Sequence, residues 1–428
     1  MQKKLQVKIK KRSLPQILTL YIFFAPFFLN FFQQFLHFPS FIKYTVDVAW
    51  VVALFFMFFT KAQVIHKKIF PFVLFVSFFF LYVFILYLFN YQSILYFLWG
   101  LRNNARFYVA FFAFIIFLDK EDINLCFKFI DIIFIVHAFV VFVQFFFLGY
   151  KWDYLGGIFG TTLGCNGHSL VLITIVCVKS LLLFLNDKES FIFCLLKCGI
   201  SLVIAAMSEL KFFFVIFVVI MMISFFLTKT SWKKILFAFI GVLLVSFASI
   251  VFVQIWGEDS VLNFDRLISL ITAETYSSSR DLGRFTAISV LSETIMENDI
   301  HRIFGLGLGN CDTATFAILN TPFYQAHYFL NYDWISSAFL FLEIGVLGLI
   351  IFLSFFAMIF FVVLRLKKEQ MDDSQMSLYA QITILMVFVC VMFVFYNSSL
   401  RTESGYIAYF MLALPFIGLE KNEHNLLN

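Results

Sequence analysis

The sequence predicts an all-α polytopic membrane protein of about twelve transmembrane helices, with one large extracytoplasmic loop between the ninth and tenth spans. Three observations predict it. Hydrophobic residues make up 62% of the 428-residue chain and charged residues only 13%, against roughly 25% charged in a soluble domain. Mean hydropathy is +0.95. The apolar residues come in blocks of about twenty, long enough as helix to cross a hydrocarbon layer of roughly 30 Å. The 67 phenylalanines are as cheap in lipid as leucine and receive no functional weight.

Blocks of spanning length lie near 14–36, 40–60, 69–89, 101–118, 123–148, 164–185, 190–207, 211–228 and 234–255. Three more follow a long polar interval, near 334–364, 378–397 and 405–419. The basic start, Lys3, Lys4, Lys8, Lys10, Lys11 and Arg12, precedes an apolar run without a small-residue cleavage site. It reads as a retained first span rather than a removed signal peptide. Lysines and arginines then recur in alternate short connections: Lys61, Lys67 and Lys68; Lys120; Lys188; Lys229, Lys233 and Lys234; Arg365, Lys367 and Lys368. The positive-inside rule makes that side cytoplasmic, with both termini there. The net charge of +5 is thus a topology signal, and no nucleic-acid partner is inferred from it.

The chain divides into residues 1–255 with nine helices, a loop subdomain over 256–333, and residues 334–428 with three helices. The loop is polar and acidic, and its basic residues are Arg266, Arg280, Arg284 and Arg302, without lysine. Ser277, Ser278 and Ser279 are placed to cap a helix beginning near Arg280, with Phe285, Ile288, Leu291 and Ile295 at helical spacing. Asn298 and Asp299 would end it. Arg280 and Arg284, four apart, would share one helix face, and guanidinium forks suit phosphate. The plainer reading pairs them with Glu274 or Asp281.

Further cations stand at outer helix mouths, against the positive-inside trend: Arg102 and Arg106, Lys211, and Arg401. Snorkelling toward headgroups explains each alone; their common side favours a shared anionic ligand. The run Gly305-Leu306-Gly307-Leu308-Gly309-Asn310 lacks the strand and following helix of a dinucleotide site. It reads as a tight turn whose N–H groups can face an anion or a sugar. His327 can exchange protons near neutral pH, and Glu343, about two turns into the tenth span, needs a partner at that depth. The glycines Gly345 and Gly348 permit close helix packing. Seven cysteines follow no metal spacing. Cys165 and Cys311 fall on the outer side, where disulfides are allowed, and read as two unpaired thiols.

These residues, in this order around one large loop, resemble the O-antigen polymerase and O-antigen ligase superfamily of lipid-linked glycan enzymes. The resemblance rests on Gly283-Arg284 leading to Phe304-Gly305-Leu306-Gly307-Leu308-Gly309-Asn310, on Ala326-His327 followed by Glu343-Ile344-Gly345-Val346-Leu347-Gly348, on Leu101-Arg102, and on Ser208-Glu209-Leu210-Lys211. Lys211 stands where the family commonly has Arg, and His327-Tyr328 where it has His-Asn. The resemblance implies a GT-C-like architecture and a metal-independent, cofactor-free inverting glycosyltransferase acting on undecaprenyl-pyrophosphate-linked oligosaccharide at the outer face of the bacterial cytoplasmic membrane. Arg102, Arg106, Lys211, Arg280, Arg284, Arg401 and Gly305, Gly307 and Gly309 would bind the donor, and His327, Glu343 or Asp281 would act as base. Membrane lipids, a chain-length regulator and a flippase would be its partners. A polymerase is expected, with a ligase next and a flippase or transporter as the alternative from another class.

Overall fold

Every apolar block read from the sequence is helical in the computed structural model, which describes residues 12–59, 67–228, 232–257, 272–275, 281–314, 316–369 and 373–419. Among the described residues the only strand-like feature is an isolated antiparallel bridge between Thr275 and Leu282. The first block is broken: α1 (Leu14–Phe24) and α2 (Leu29–Phe35) are bent by 49° across Ala25–Phe27, where Pro26 lacks the N–H a continuous helix needs. There follow α3 (Thr45–Phe59), α4 (Phe70–Asn90), α5 (Ile94–Phe117), α6 (Lys120–Phe146), α7 (Asn166–Leu185), α8 (Phe191–Met207), α9 (Lys211–Leu227) and α10 (Trp232–Trp256). Short helices α11 (Ala287–Thr294), α12 (Asp299–Phe304) and α13 (Pro322–His327) precede α14 (Ser336–Glu369), α15 (Ser374–Tyr396) and α16 (Gly405–Ala413).

This is an all-α, multi-pass membrane protein. Seven of its described helices are long and apolar enough to cross a bilayer, and eight if the bent α1–α2 pair is one span. Of the other four blocks, α8, α9 and the segment Gly405–Phe416 are apolar but shorter, and α5 carries Arg102 and Arg106. Helices α7 and α15 form the centre, with 83% and 78% of their spanning windows buried, against 22–39% for the other long helices. Aromatic rings fill much of the space between helices: Phe355 of α14 lies 5.0 Å from Tyr108 and 5.5 Å from Phe111. Phenylalanine therefore has a packing role beyond lining the lipid surface. Lipid tails are as apolar as these rings, so interdigitation rather than hydrophobic exclusion holds the helices together.

The connections sort to two ends. At the lysine end, Arg12 pairs with Asp122 at 3.0 Å, Lys68 with Glu369 at 2.6 Å and Lys120 with Asp373 at 3.8 Å. Lys188 and Lys367 reach the Ser374 and Leu227 carbonyls there. At the opposite, loop end, Arg102 pairs with Asp47, Gln92 donates to the Leu308 carbonyl at 2.7 Å, and Ser336 donates to the Asn397 carbonyl at 2.7 Å.

The loop differs from its expected form. The helix over its apolar residues begins at Ala287, so Arg284 stands in the preceding turn rather than on a helix; Ser277–Arg280 lie outside the described residues. Asn298 starts a second helix rather than ending the first: its side chain accepts the His301 N–H at 2.8 Å, capping α12, as a short polar side chain does for an orphan donor. The loop's apolar residues Leu282, Ala287, Leu291 and Met296 pack on Phe339 and Leu342 of α14, forming a second, smaller core beside that of the helices.

Candidate functional site

The loop end is organised by a break in α14. Gly345 has φ 68° and ψ −175°, which interrupts the helix, and a Cβ there would strike the Ile303 carbonyl of α12, so the glycine permits the close helix approach expected of it and adds a break. Carbonyls freed at such a break must find donors, since lipid offers none. Leu342 accepts from the Leu306 N–H at 2.8 Å and Glu343 from the Gly307 N–H at 2.9 Å. The Tyr82 hydroxyl donates to the Ile344 carbonyl at 2.9 Å and is hydrogen-bonded to the Gly348 backbone.

The glycine run is cut to fit this break. Gly305, Gly307 and Gly309 all have positive φ. A Cβ on Gly305 would meet the Glu343 carbonyl carbon at 2.5 Å, one on Gly309 would strike the Tyr96 carbonyl, and one on Gly100 would meet the Gly309 nitrogen at 2.5 Å. The Gly309 N–H goes to Glu343 Oε1 at 2.9 Å, and that of Gly305 to the His301 carbonyl at 2.8 Å. The N–H groups expected to face a ligand are therefore engaged inside the protein.

Around the break, charged side chains converge from several parts of the chain. Arg401, in the turn Ser399–Arg401, lies over the Phe339 ring, 3.1 Å from its centroid. Burial lowers its pKa, Asp312, Glu343 and Asp333 draw it back up, and Arg106 adds to the lowering. Arg106, buried on α5, donates from Nη2 to the Arg401 carbonyl at 2.5 Å. Its Nε is buried without a hydrogen-bond partner, as is Glu343 Oε2. Glu403 is the counterweight: burial raises its pKa, but Lys43, Arg106 and His168 overcome this and bring it down to about 2. Asp333 goes the other way, its pKa raised by burial despite Arg401. Asp312 accepts from Asn103 at 2.6 Å and caps its own turn through the Thr313 N–H.

Of the residues singled out from sequence, Arg106, Arg401 and Glu343 meet here. Arg284 borders the same turn, with Nη1 3.4 Å from the Trp334 carbonyl and its guanidinium 5.8 Å from the Tyr396 ring centroid. Arg102 is ion-paired with Asp47, hydrogen-bonded to Asn103 at 2.6 Å, and set against Trp99 and Tyr44, which makes it a clasp between α3 and α5. Lys211 is 3.0 Å from Glu209, beside Phe212, which stacks on Tyr396 at 3.9 Å. Asp281 is buried in the loop. His327 packs on Phe323, 4.7 Å between centroids. Arg280 lies outside the described residues. Cys165 and Cys311 are buried free thiols.

Lys43, His168, Asp312, Asp333 and Glu403 were not among the expected site residues. Their signal was available: each is a charged or titratable group at a helix mouth, where an unpaired charge is costly. The chain matches no family model and no curated protein.

Proposed function

We propose that this chain is a polysaccharide polymerase of twelve spans that joins undecaprenyl-diphosphate-linked oligosaccharide repeats at the outer face of a bacterial cytoplasmic membrane. The lysine end would be cytoplasmic, by the positive-inside rule, and the loop end would face outward. The observation that carries the reading is a buried arginine of α5, Arg106, whose Nη2 donates to the main-chain carbonyl of Arg401 at 2.5 Å while its Nε is left unpartnered. Orphaned buried donors call for a ligand or water, and two buried cations close enough to couple electrostatically suit an anion of high charge density.

A lipid diphosphate supplies that anion with its chain in the bilayer. When the glycosidic bond to the diphosphate breaks, the departing oxygen gains charge. Arginines fixed beside it stabilise the transition state more than the ground state. The acceptor hydroxyl attacks the anomeric carbon from the opposite side, inverting it, and gives its proton to a carboxylate. Asp333 suits that role best, because burial raises its pKa and so makes it the stronger base. Glu343, sealed under the glycine run, holds the loop to the break.

The test is purified protein in nanodiscs with lipid-linked repeats and no nucleotide. Longer glycans and free undecaprenyl diphosphate support the reading; unchanged repeats overturn it. A second reading, transport of the lipid-linked glycan, draws on the break in α14 at Gly345, since broken spans often line transport sites. Movement of labelled repeats across the bilayer without bond formation would favour it.

A further inference from the structure

No side chain of the short loop helix α12 (Asp299–Phe304) enters the site above, yet the helix exposes Ile300, Ile303 and Phe304. Spaced i, i+3 and i+4, they share one helix face. The other face is tied to the loop: Arg302 Nε donates to the Ser292 carbonyl at 3.1 Å and Nη1 to Asp299 Oδ1 at 2.9 Å. The apolar face therefore points away from the loop. Ile300 keeps 67% of its surface exposed, an area that bulk water would have to hydrate.

What covers this face follows from where α12 sits. Its end abuts the break in α14, with the Ile303 carbonyl and the Phe304 nitrogen against Gly345, and the Leu306 and Gly307 N–H groups that follow are bonded to Leu342 and Glu343. From the break toward the lysine end, α14 exposes Val346, Leu347 and Ile350, then Phe361, and ends at exposed Arg365. Ser354, also exposed on that stretch, turns its hydroxyl back onto the Ile350 and Ile351 carbonyls at 3.0 and 2.8 Å, as a polar group in lipid must. Gly345 and Arg365 are separated by about 30 Å of helix, the thickness of a hydrocarbon layer. On α4, Tyr82, whose hydroxyl reaches the Ile344 carbonyl, is about 20 Å from Lys68 of the lysine end. Both measures put the break, and α12 with it, in the half of the bilayer on the loop side.

We infer that α12 is a membrane-binding helix, its Ile300, Ile303 and Phe304 face covered by phospholipid acyl chains of the leaflet on the loop side. The face adjoins the lipid-facing surface of α14 at Gly345 and extends it sideways, at the boundary of headgroups and chains where an amphipathic helix lies. The loop is thereby held down on the bilayer. The inference is independent of the proposed function.

Spin labels on introduced cysteines, in protein held in nanodiscs, test it; the seven native cysteines are buried. At Ile300→Cys and Ile303→Cys the label should be relaxed by dissolved oxygen, which concentrates in lipid, and shielded from a water-soluble nickel chelate. At Glu297→Cys, exposed just before α12, the order should reverse. Nickel access at 300 and 303 equal to that at 297 would place the face in water and overturn the inference. Shielding from both reagents, with spin–spin broadening that vanishes when unlabelled protein is mixed in, would assign the face to a second copy of this chain and overturn it as well. On unaltered protein, a phospholipid carrying a diazirine in its acyl chain should crosslink to residues 299–304; crosslinks to α14 between Val346 and Phe361 with none to α12 would again overturn it.

Discussion

Gly309 gives its backbone N–H to Glu343 Oε1 at 2.9 Å, and through this bond the loop is latched to the break in α14. The latch depends on a backbone approach that no side chain allows. Gly309 has φ 85° and its missing Cβ would strike the Tyr96 carbonyl. Gly309→Ala should therefore destabilise by more than about 3 kcal/mol, in the range of severe core strain. Thermal unfolding in detergent reads it, and an unchanged midpoint would show that the loop is not latched this way.

Arg102 of α5 and Arg401 of the turn after α15 should behave differently. Arg102 is clasped by Asp47, so Arg102→Ala should cost about 2 kcal/mol of stability, as losing a part-buried hydrogen bond to a charged group does, while folded protein keeps its activity. Arg401→Ala should fold yet lose at least about 100-fold in turnover, the usual cost of removing one transition-state donor, and Arg401→Lys should recover part of it. Arg284→Ala should likewise abolish product formation, with partial rescue by Lys. Full activity in either alanine variant would remove that residue from the site.

Asp333 sets the expected pH dependence of rate. Burial raises its pKa above the ordinary 3.8, and only the deprotonated carboxylate accepts a proton. Turnover should rise with pH through this elevated pKa and level off above it. Asp333→Asn should abolish turnover, and a variant that keeps the same pH profile would assign the base elsewhere.

Glu403 governs stability rather than rate. Its folded-state pKa of about 2 lies below the ordinary 4.5, so the folded state binds fewer protons than the unfolded one between those values. The stabilisation is complete above pH 4.5 and is lost as pH falls toward 2. Wild type should be more stable than Glu403→Gln by about 2 kcal/mol at neutral pH, and the two should converge in acid. A gap that stays constant with pH would contradict the ionised role.

The helices were legible because twenty apolar residues in lipid have few alternatives to helix. Cations at helix mouths were legible for the same reason, and Arg106 and Arg401 were found that way. What composition could not tell is which cation has a neighbour of opposite sign: Asp47 is 55 residues from Arg102, and nothing local announces that pair. The glycine run was read as a turn, which it is, but its N–H groups were assigned to a ligand when a broken helix consumes them. Gly345 reads from sequence as a packing glycine, and its Cα does face the Ile303 backbone; the helix break it also makes is not legible, because that depends on Gly305–Gly309, more than thirty residues upstream, filling the gap. Asn298 carried a readable cap signal that was taken for a helix end.

Binding of undecaprenyl diphosphate to the purified protein in nanodiscs tests the central claim most directly, because it isolates the grip on the anion from the chemistry. Saturable binding is expected, weakened by at least about tenfold in Arg401→Ala and in Arg106→Ala and unchanged in Arg102→Ala. Equal binding by wild type and all three variants, or loss confined to Arg102→Ala, would contradict it.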